Sequence, residues 1–304
     1  MREKTAGTTE EKEGEKRMSA DLLIKIEEKM PEFSKGQKRI AGYILEHYEK
    51  AAYLTASKLG AIVGVSESTV VRFANELGYS GYPEFQQSLQ EIIRNRLTSF
   101  QRIEVTNHLI GDGNLLDKVL LSDVAKLRRT MEEIDHDSFE AAIDKIVAAE
   151  NIYIIGVRSS SALAGFLNLN LRMVFDNVKL VQTTSGSEMF EQIMRIGEKD
   201  VMIAISFPRY SKRTINAVEY ARQKHANVVA LTDSKMSPIA EYANQLLIAQ
   251  SDMASFVDSL VAPLSIINAM IVAVARKKQD ELTERLHTLE EVWEQYDVYD
   301  TKKR

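Results

Sequence analysis

The hydrophobic period of the chain changes near Asn151, and that change limits what each half can fold into. Up to this point apolar residues recur at helical spacing. Beyond it come five short runs dense in Val, Ile and Leu: NIYIIGV from Asn151, NVKLVQT from Asn177, DVMIAISF from Asp200, NVVALTD from Asn227 and NQLLIA from Asn244. Runs this short and this apolar suit a parallel sheet buried on both faces. Segments with helical patterning separate them, over 163–175, 188–196, 213–224 and 238–242. The stretch from Val257, VDSLVAPLSIINAMIVAVARKK, is apolar nearly all round, so it needs burial in the core or against a second copy of the chain. Trp293, Tyr296 and Tyr299 could pack on a partner or on this same domain.

The first half reads as helices. Residues 1–17 are charged and without periodicity, as expected of a disordered tail. Leu22, Leu23, Ile26 and Met30 form one apolar stripe, and Ser34 caps a helix carrying Ile40, Tyr43, Ile44 and Tyr48. In TASKLGAIVGVSESTVVRFANELG, Thr55 caps a helix through Leu59 and Ile62, and Gly64 supplies a turn backed by Val65. Ser66 caps a second helix whose Val70, Phe73, Ala74 and Leu77 share one face, and Gly78 ends it. A turn at Ser80–Gly81 leads into a further amphipathic helix. The expected divisions are a tail over 1–17, an all-α domain over 18–97, a linker over 98–114 ending in Gly111, Asp112 and Gly113, and a second domain over 115–304. The second domain opens with helices over Leu115–Ile134 and Ser138–Ala149, the latter capped by Ser138.

The outward residues of the helix after Ser66 are Ser68, Thr69, Arg72 and Asn75, short hydrogen-bonding side chains with one cation. Such a surface suits the major groove of double-stranded DNA, where phosphates and base edges need donors. An ordinary helical hairpin is the plainer reading. The whole chain carries a net charge of −5, so it has no global basic field. Between Ser34 and Leu97, however, eight Lys or Arg stand against six Asp or Glu. Lys35, Lys38, Arg39, Lys58 and Arg72 supply a local basic face for phosphates, although a solvated face is the default for the three lysines.

Composition removes several chemistries. The chain has no cysteine, which excludes disulfides, thiol catalysis and thiolate metal sites. Its five histidines, His47, His108, His136, His225 and His287, show no metal-ligand spacing. No apolar run reaches the roughly 18 residues that span a bilayer. A soluble cytoplasmic protein with no cofactor, no metal and no membrane partner is expected.

In an open parallel sheet, ligands sit beyond the carboxyl ends of the strands. Here the first run leads into Arg158, Ser159, Ser160 and Ser161, and the second into Thr183, Thr184, Ser185 and Ser187. The third leads into Ser206, Phe207, Pro208, Arg209, Tyr210, Ser211 and Lys212. Hydroxyls beside Arg158 and Lys212 make a cradle for a phosphate or carboxylate. Helix capping alone would account for some of those hydroxyls.

The helical domain with VSESTVVRFANELGYSGYPEF, followed by these Ser-rich strand ends, resembles the RpiR/MurR family of bacterial transcriptional regulators from about Met18 to Arg276. The resemblance implies a helix-turn-helix domain followed by an α/β sugar isomerase (SIS) domain, a five-stranded parallel sheet flanked by helices. Together with the outward face of the helix it gives DNA contact at Ser66, Ser68, Thr69, Arg72 and Asn75, and together with the strand ends it gives effector contact at Arg158, Ser159, Ser160, Ser185, Ser187, Ser206, Arg209, Ser211 and Lys212, of which Ser160, Ser206 and Ser211 match the family pattern. Two departures stand out. Arg158 stands where phosphosugar-binding members carry the second Gly of Gly-x-Gly-x-Ser, and Tyr210 replaces a carboxylate that takes part in proton transfer in isomerases. A phenol is a poor base at neutral pH.

The expected function is a sequence-specific regulator, not an enzyme. Its partners would be a palindromic operator, a small anionic effector such as a sugar phosphate, and a second copy in a homodimer or homotetramer. Two other readings are a SIS domain that only dimerises, favoured by Pro208 and Tyr210, and a sugar-phosphate isomerase drawing on Glu188, Asp233 or His225.

Overall fold

The computed structural model describes residues 22–94, 102–103, 114–182, 185–252 and 257–299. The expected tail over 1–17 lies outside the described residues, as do Thr183, Thr184 and most of the expected linker over 98–114. The chain forms two compact units that divide between Leu115 and Leu116, apart from a short later segment.

Among the described residues, the first unit is built from helices joined by short turns. It comprises α1 (22–29), α2 (Lys35–Glu46), the single turn α3 (Tyr48–Ala51), α4 (Ala56–Val63), α5 (Glu67–Glu76) and α6 (Tyr82–Arg94). Three starts are fixed by hydroxyl caps. Ser34 accepts from the Gln37 N–H while the Gln37 side chain accepts from Ser34 N–H, Thr55 accepts from Lys58 N–H, and Ser66 from Thr69 N–H. The core is a cluster built on Leu22, Ile26, Ile40, Leu59, Phe73 and Phe85, all at 0% exposure. Phe73 stands at its centre, with ring centroids 5.1 Å from Phe33 and 5.8 Å from Phe85. Glu84 accepts from both the N–H and the hydroxyl of Ser80 at 2.7 Å, which pins the turn before α6. Those bonds, the side-chain one first, hold the Glu84 carboxyl below its ordinary range.

The second unit opens with α7 (Leu115–Glu133) and α8 (His136–Ala148). The sheet unit follows as β1 (Ile152–Gly156), α9 (Ser160–Val174), β2 (Val178–Val181), α10 (Gly186–Ile193), β3 (Val201–Ile205), α11 (Lys212–Gln223), β4 (Asn227–Thr232), a 3-10 turn at Ala240–Tyr242, β5 (Gln245–Ile248), α12 (Val261–Lys277) and α13 (Gln279–Gln295). All four strand pairings are parallel, and the order is β2-β1-β3-β4-β5. Alternate side chains enter opposite layers. Ile152, Ile154, Ile203 and Leu231 meet α8, α9 and α12, whereas Tyr153, Ile155, Met202 and Ala230 meet α10 and α11. Every residue of β1 and β3 is buried, which explains why these runs are apolar without alternation.

Two local expectations fail. Asp135, not Ser138, caps α8 by accepting from Ser138 N–H at 3.0 Å. The Ser138 hydroxyl is engaged with β5 instead, donating to the Leu246 carbonyl and accepting from its N–H at 3.2 and 3.0 Å. A helix was expected over 238–242, yet the chain there makes only the short turn Ala240–Tyr242.

Ile203 lies in the central strand with no exposure. Ile203→Ala should lower unfolding free energy by about 2–5 kcal/mol, read from urea unfolding followed by circular dichroism. A loss well under 1 kcal/mol would show that the site collapses around the vacancy.

Candidate functional site

The first unit presents α5 on an open groove. Ser66, Thr69, Arg72 and Asn75 line it from α5 and its cap, and Ser34, Gly36 and Gln37 line it from the start of α2. Four of the expected contact residues are therefore brought together. The Ser66 hydroxyl lies 2.9 Å from both the Ser68 and Thr69 hydroxyls, and Arg72 Nε donates to the Ser68 carbonyl at 3.3 Å. That last bond lays the guanidinium back along the first turns of α5 and leaves its outer N–H groups for a ligand. Ser68, Lys35, Lys38 and Lys58 are exposed but do not line the groove.

The angle of α5 is set by the turn before it. Gly64 adopts φ +66° and closes α4, where Arg39 Nη1 donates to its carbonyl at 3.2 Å. Gly60 has no room for a side chain, because a Cβ there would lie 2.8 Å from the Val65 carbonyl. At the far end of α5, Lys25 and Lys29 of α1 donate to the carbonyls of Leu77 and Glu76, each at 2.9 Å. Cations there satisfy terminal carbonyls and oppose the negative end of the helix dipole. Sequence reasoning missed these two lysines, since their partners lie about fifty residues away (|i−j| of 52 and 47).

In the second unit, β2, β1 and β3 are side by side, so the three hydroxyl-rich strand ends are neighbours. A pocket of about 470 Å³ opens at the carboxyl ends of β1 and β2. Gly156, Arg158, Ser161, Gln182, Met189 and Arg213 are among its lining residues. Of the expected effector residues only Arg158 lines it. Ser160 is buried at the start of α9, where its carbonyl would lie 2.5 Å from a Cβ on Gly156, and Ser159 shows no side-chain cap bond. Ser185 and Ser187 pair with each other at 2.8 Å, and Ser206 is buried at the end of β3. Ser211 caps α11 by accepting from the Arg213 N–H, while Arg209 and Lys212 are exposed.

Sequence reasoning missed Arg213, the second residue of α11, and Ser161, whose hydroxyl donates to the Arg158 carbonyl at 2.6 Å. A cation in the first turn of a helix runs against the helix dipole, and that was the available signal for Arg213. Tyr210 donates from its phenol to Asp233 Oδ1 at 2.7 Å, at the end of β4. No group of three or more metal-ligating side chains occurs among the described residues, and none of their helices is long and apolar enough to cross a membrane.

Residues 20–96 match the helix-turn-helix domain of the rpiR family, and residues 145–273 match the SIS domain. A helix-turn-helix-type transcriptional regulator of Haemophilus influenzae is 28% identical over 76% of this chain and 80% of its own length. The regulator HexR of Escherichia coli is 24% identical over 89% of this chain and 93% of its own. Among solved structures, the sugar isomerase domain of an RpiR transcription factor from Sphaerobacter thermophilus aligns with a TM-score of 0.56 at 25% identity, covering 59% of this chain and 99% of that one. The Vibrio vulnificus NanR protein complexed with ManNAc-6P aligns with a TM-score of 0.57 at 24% identity, covering 92% and 100%.

Gly60→Ala should lower the melting temperature of the helical unit and weaken DNA binding together, because backbone must move to admit the methyl group. Wild-type melting with weakened binding would instead put Gly60 in contact with the DNA.

Proposed function

We propose, from the premise that the chain belongs to the rpiR family of helix-turn-helix proteins with a SIS domain, that it is a transcriptional regulator whose second unit senses a sugar phosphate. The observation that carries this is the convergence of Ser66, Thr69, Arg72 and Asn75 on one open groove of α5. Two capped helices joined by a tight turn hold that surface rigidly, as insertion into a major groove requires. Ser68, Thr69 and Arg72 contact base edges or phosphates, and Lys35, Lys38 and Lys58 contact the DNA backbone. Lys35 begins α2, so a phosphate there also meets the positive end of a helix.

The second unit binds the effector at the strand ends. The complex of the similarly folded Vibrio protein with ManNAc-6P supports the choice of a sugar phosphate. Two features argue against turnover. The described lining of the pocket contains no carboxylate, and Tyr210, where isomerases of this fold carry an acid, donates a hydrogen bond to Asp233. A general base must accept a proton from substrate, and a phenol held as a donor does not.

The regulator acts as a homodimer or a homotetramer. Phe166 and Leu169 on α9 and Val272 on α12 are exposed at 39%, 65% and 67%, as suits burial against a second copy. Two-fold symmetry then calls for a palindromic operator with half-sites about one helical turn, or a multiple, apart. Regulation requires that the effector bind two arrangements of the dimer with different affinity.

Arg72→Ala should weaken operator binding by about 1–3 kcal/mol and relax preference at one base position. The measurement is fluorescence anisotropy on operator and scrambled duplexes. Unchanged affinity for both would place the reading surface elsewhere than α5.

A further inference from the structure

Helix α7 has one face that the second unit holds and an opposite face that is exposed. Lys126 and Thr130 are buried on the held face. The Thr130 hydroxyl accepts from the Gln250 N–H at 2.9 Å, and the Ser259 hydroxyl donates to Asp123 Oδ1 at 2.7 Å. Lys126 Nζ donates to the Ser122 hydroxyl at 2.6 Å and lies 3.5 Å from Asp123 Oδ1. The bonds to Gln250 and Ser259 tie α7 to the chain after β5 and fix its rotation about its own axis.

The exposed face is apolar where solvent favours charge. Asp117, Leu121, Val124, Arg128 and Met131 are spaced by four, three, four and three residues, which places them in one stripe along the helix. Leu121 is 68% exposed, Val124 52% and Met131 69%, with Leu120 beside them at 53%. Apolar side chains gathered on one exposed face mark an interaction surface. Arg128 interrupts the stripe. Among the described residues it makes no ion pair, whereas its neighbour Arg129 holds Glu133 at 2.7 Å.

The stripe is complementary to itself in one direction only. Laid antiparallel about a two-fold axis between Ser122 and Asp123, it sets Leu121 of one helix against Val124 of the other, and Asp117 against Arg128. Two apolar layers are then flanked by two layers of opposite charge. Laid parallel, the same stripe opposes Asp117 to Asp117 and Arg128 to Arg128, and like charges resist that arrangement. A carboxylate has lone pairs for several donors, so the contact across the pair adds to the one Asp117 makes within its own chain.

We infer that α7 pairs antiparallel with α7 of a second copy of the chain, closed at both ends by Asp117 and Arg128. This rests on the homo-oligomer reading and names one of its contacts, distinct from the exposed residues of α9 and α12.

The test is sedimentation velocity of the full chain as wild type, Arg128→Asp, Asp117→Arg and the double variant. Each single reversal sets like charges against each other at both ends of the pair, so the dissociation constant of the assembly should rise about tenfold or more. The double variant should return to within about threefold of wild type, because the opposite charges meet again with their places exchanged. A second measurement is independent of how the reversals affect folding, and it uses a chain that has no cysteine of its own. Coexpressed Leu121→Cys and Val124→Cys chains should cross-link to each other on mild oxidation, and far less when each is expressed alone. Single reversals that leave association unchanged, a double variant that stays dissociated, or cross-linking of each variant with itself in place of the mixed pair overturn the antiparallel contact and leave the homo-oligomer reading standing. Reversals that lower the melting temperature without changing association put the cover of α7 within its own chain and overturn the contact as well. A wild-type chain that sediments as a monomer removes the homo-oligomer reading itself and this inference with it.

Discussion

Burial of the parallel sheet on both faces is the constraint from which the second unit follows. Strands β1 and β3 have no solvent-facing side, so their side chains serve packing alone. Polar chemistry can then appear only where the strands stop. The order β2-β1-β3-β4-β5 sends the chain to opposite sides after β1 and β3, and the crevice between their carboxyl ends is where such sheets accept ligands. Gly156 sharpens this by letting α9 approach within the distance that a Cβ would occupy. The loop that follows must turn abruptly, and Arg158 adopts a left-handed conformation in doing so.

The helical unit answers a different need with the same economy of backbone. The proposed DNA contact requires that α5 keep a fixed angle to α4. Gly60 permits the close approach of the turn, Gly64 reverses the chain, and the Arg39 guanidinium holds the Gly64 carbonyl. Lys25 and Lys29 brace the other end of α5 from α1, so this helix is held at both termini. The outward side chains Ser68, Thr69, Arg72 and Asn75 lie on this braced helix, which is what the proposed DNA contact requires.

Much of this was legible in the sequence, and the reasons are local. Ser34, Thr55 and Ser66 cap helices because their hydroxyls reach an N–H three residues on, and Gly64 and Gly78 take positive φ where helices end. The five apolar runs became the five strands; the runs buried almost throughout are β1, β3 and β4, whereas the edge strands β2 and β5 are partly exposed. The misses share a non-local cause. Ser138 looked like a cap, but its hydroxyl bonds Leu246, 108 residues away, and the cap passes to Asp135. Arg158 and Arg213 share a pocket only because two strand ends and a helix start are brought together by the sheet order. The bond between Tyr210 and Asp233 is of the same kind, spanning two strand ends.

The central claim is that the α5 surface reads a particular DNA sequence. The most direct measurement is selection of sheared genomic DNA by the purified protein, with sequencing of the retained fragments. The account requires enrichment of one or a few palindromic sites, with half-sites spaced by whole helical turns. Retention without sequence enrichment, with and without sugar phosphates present, would contradict it.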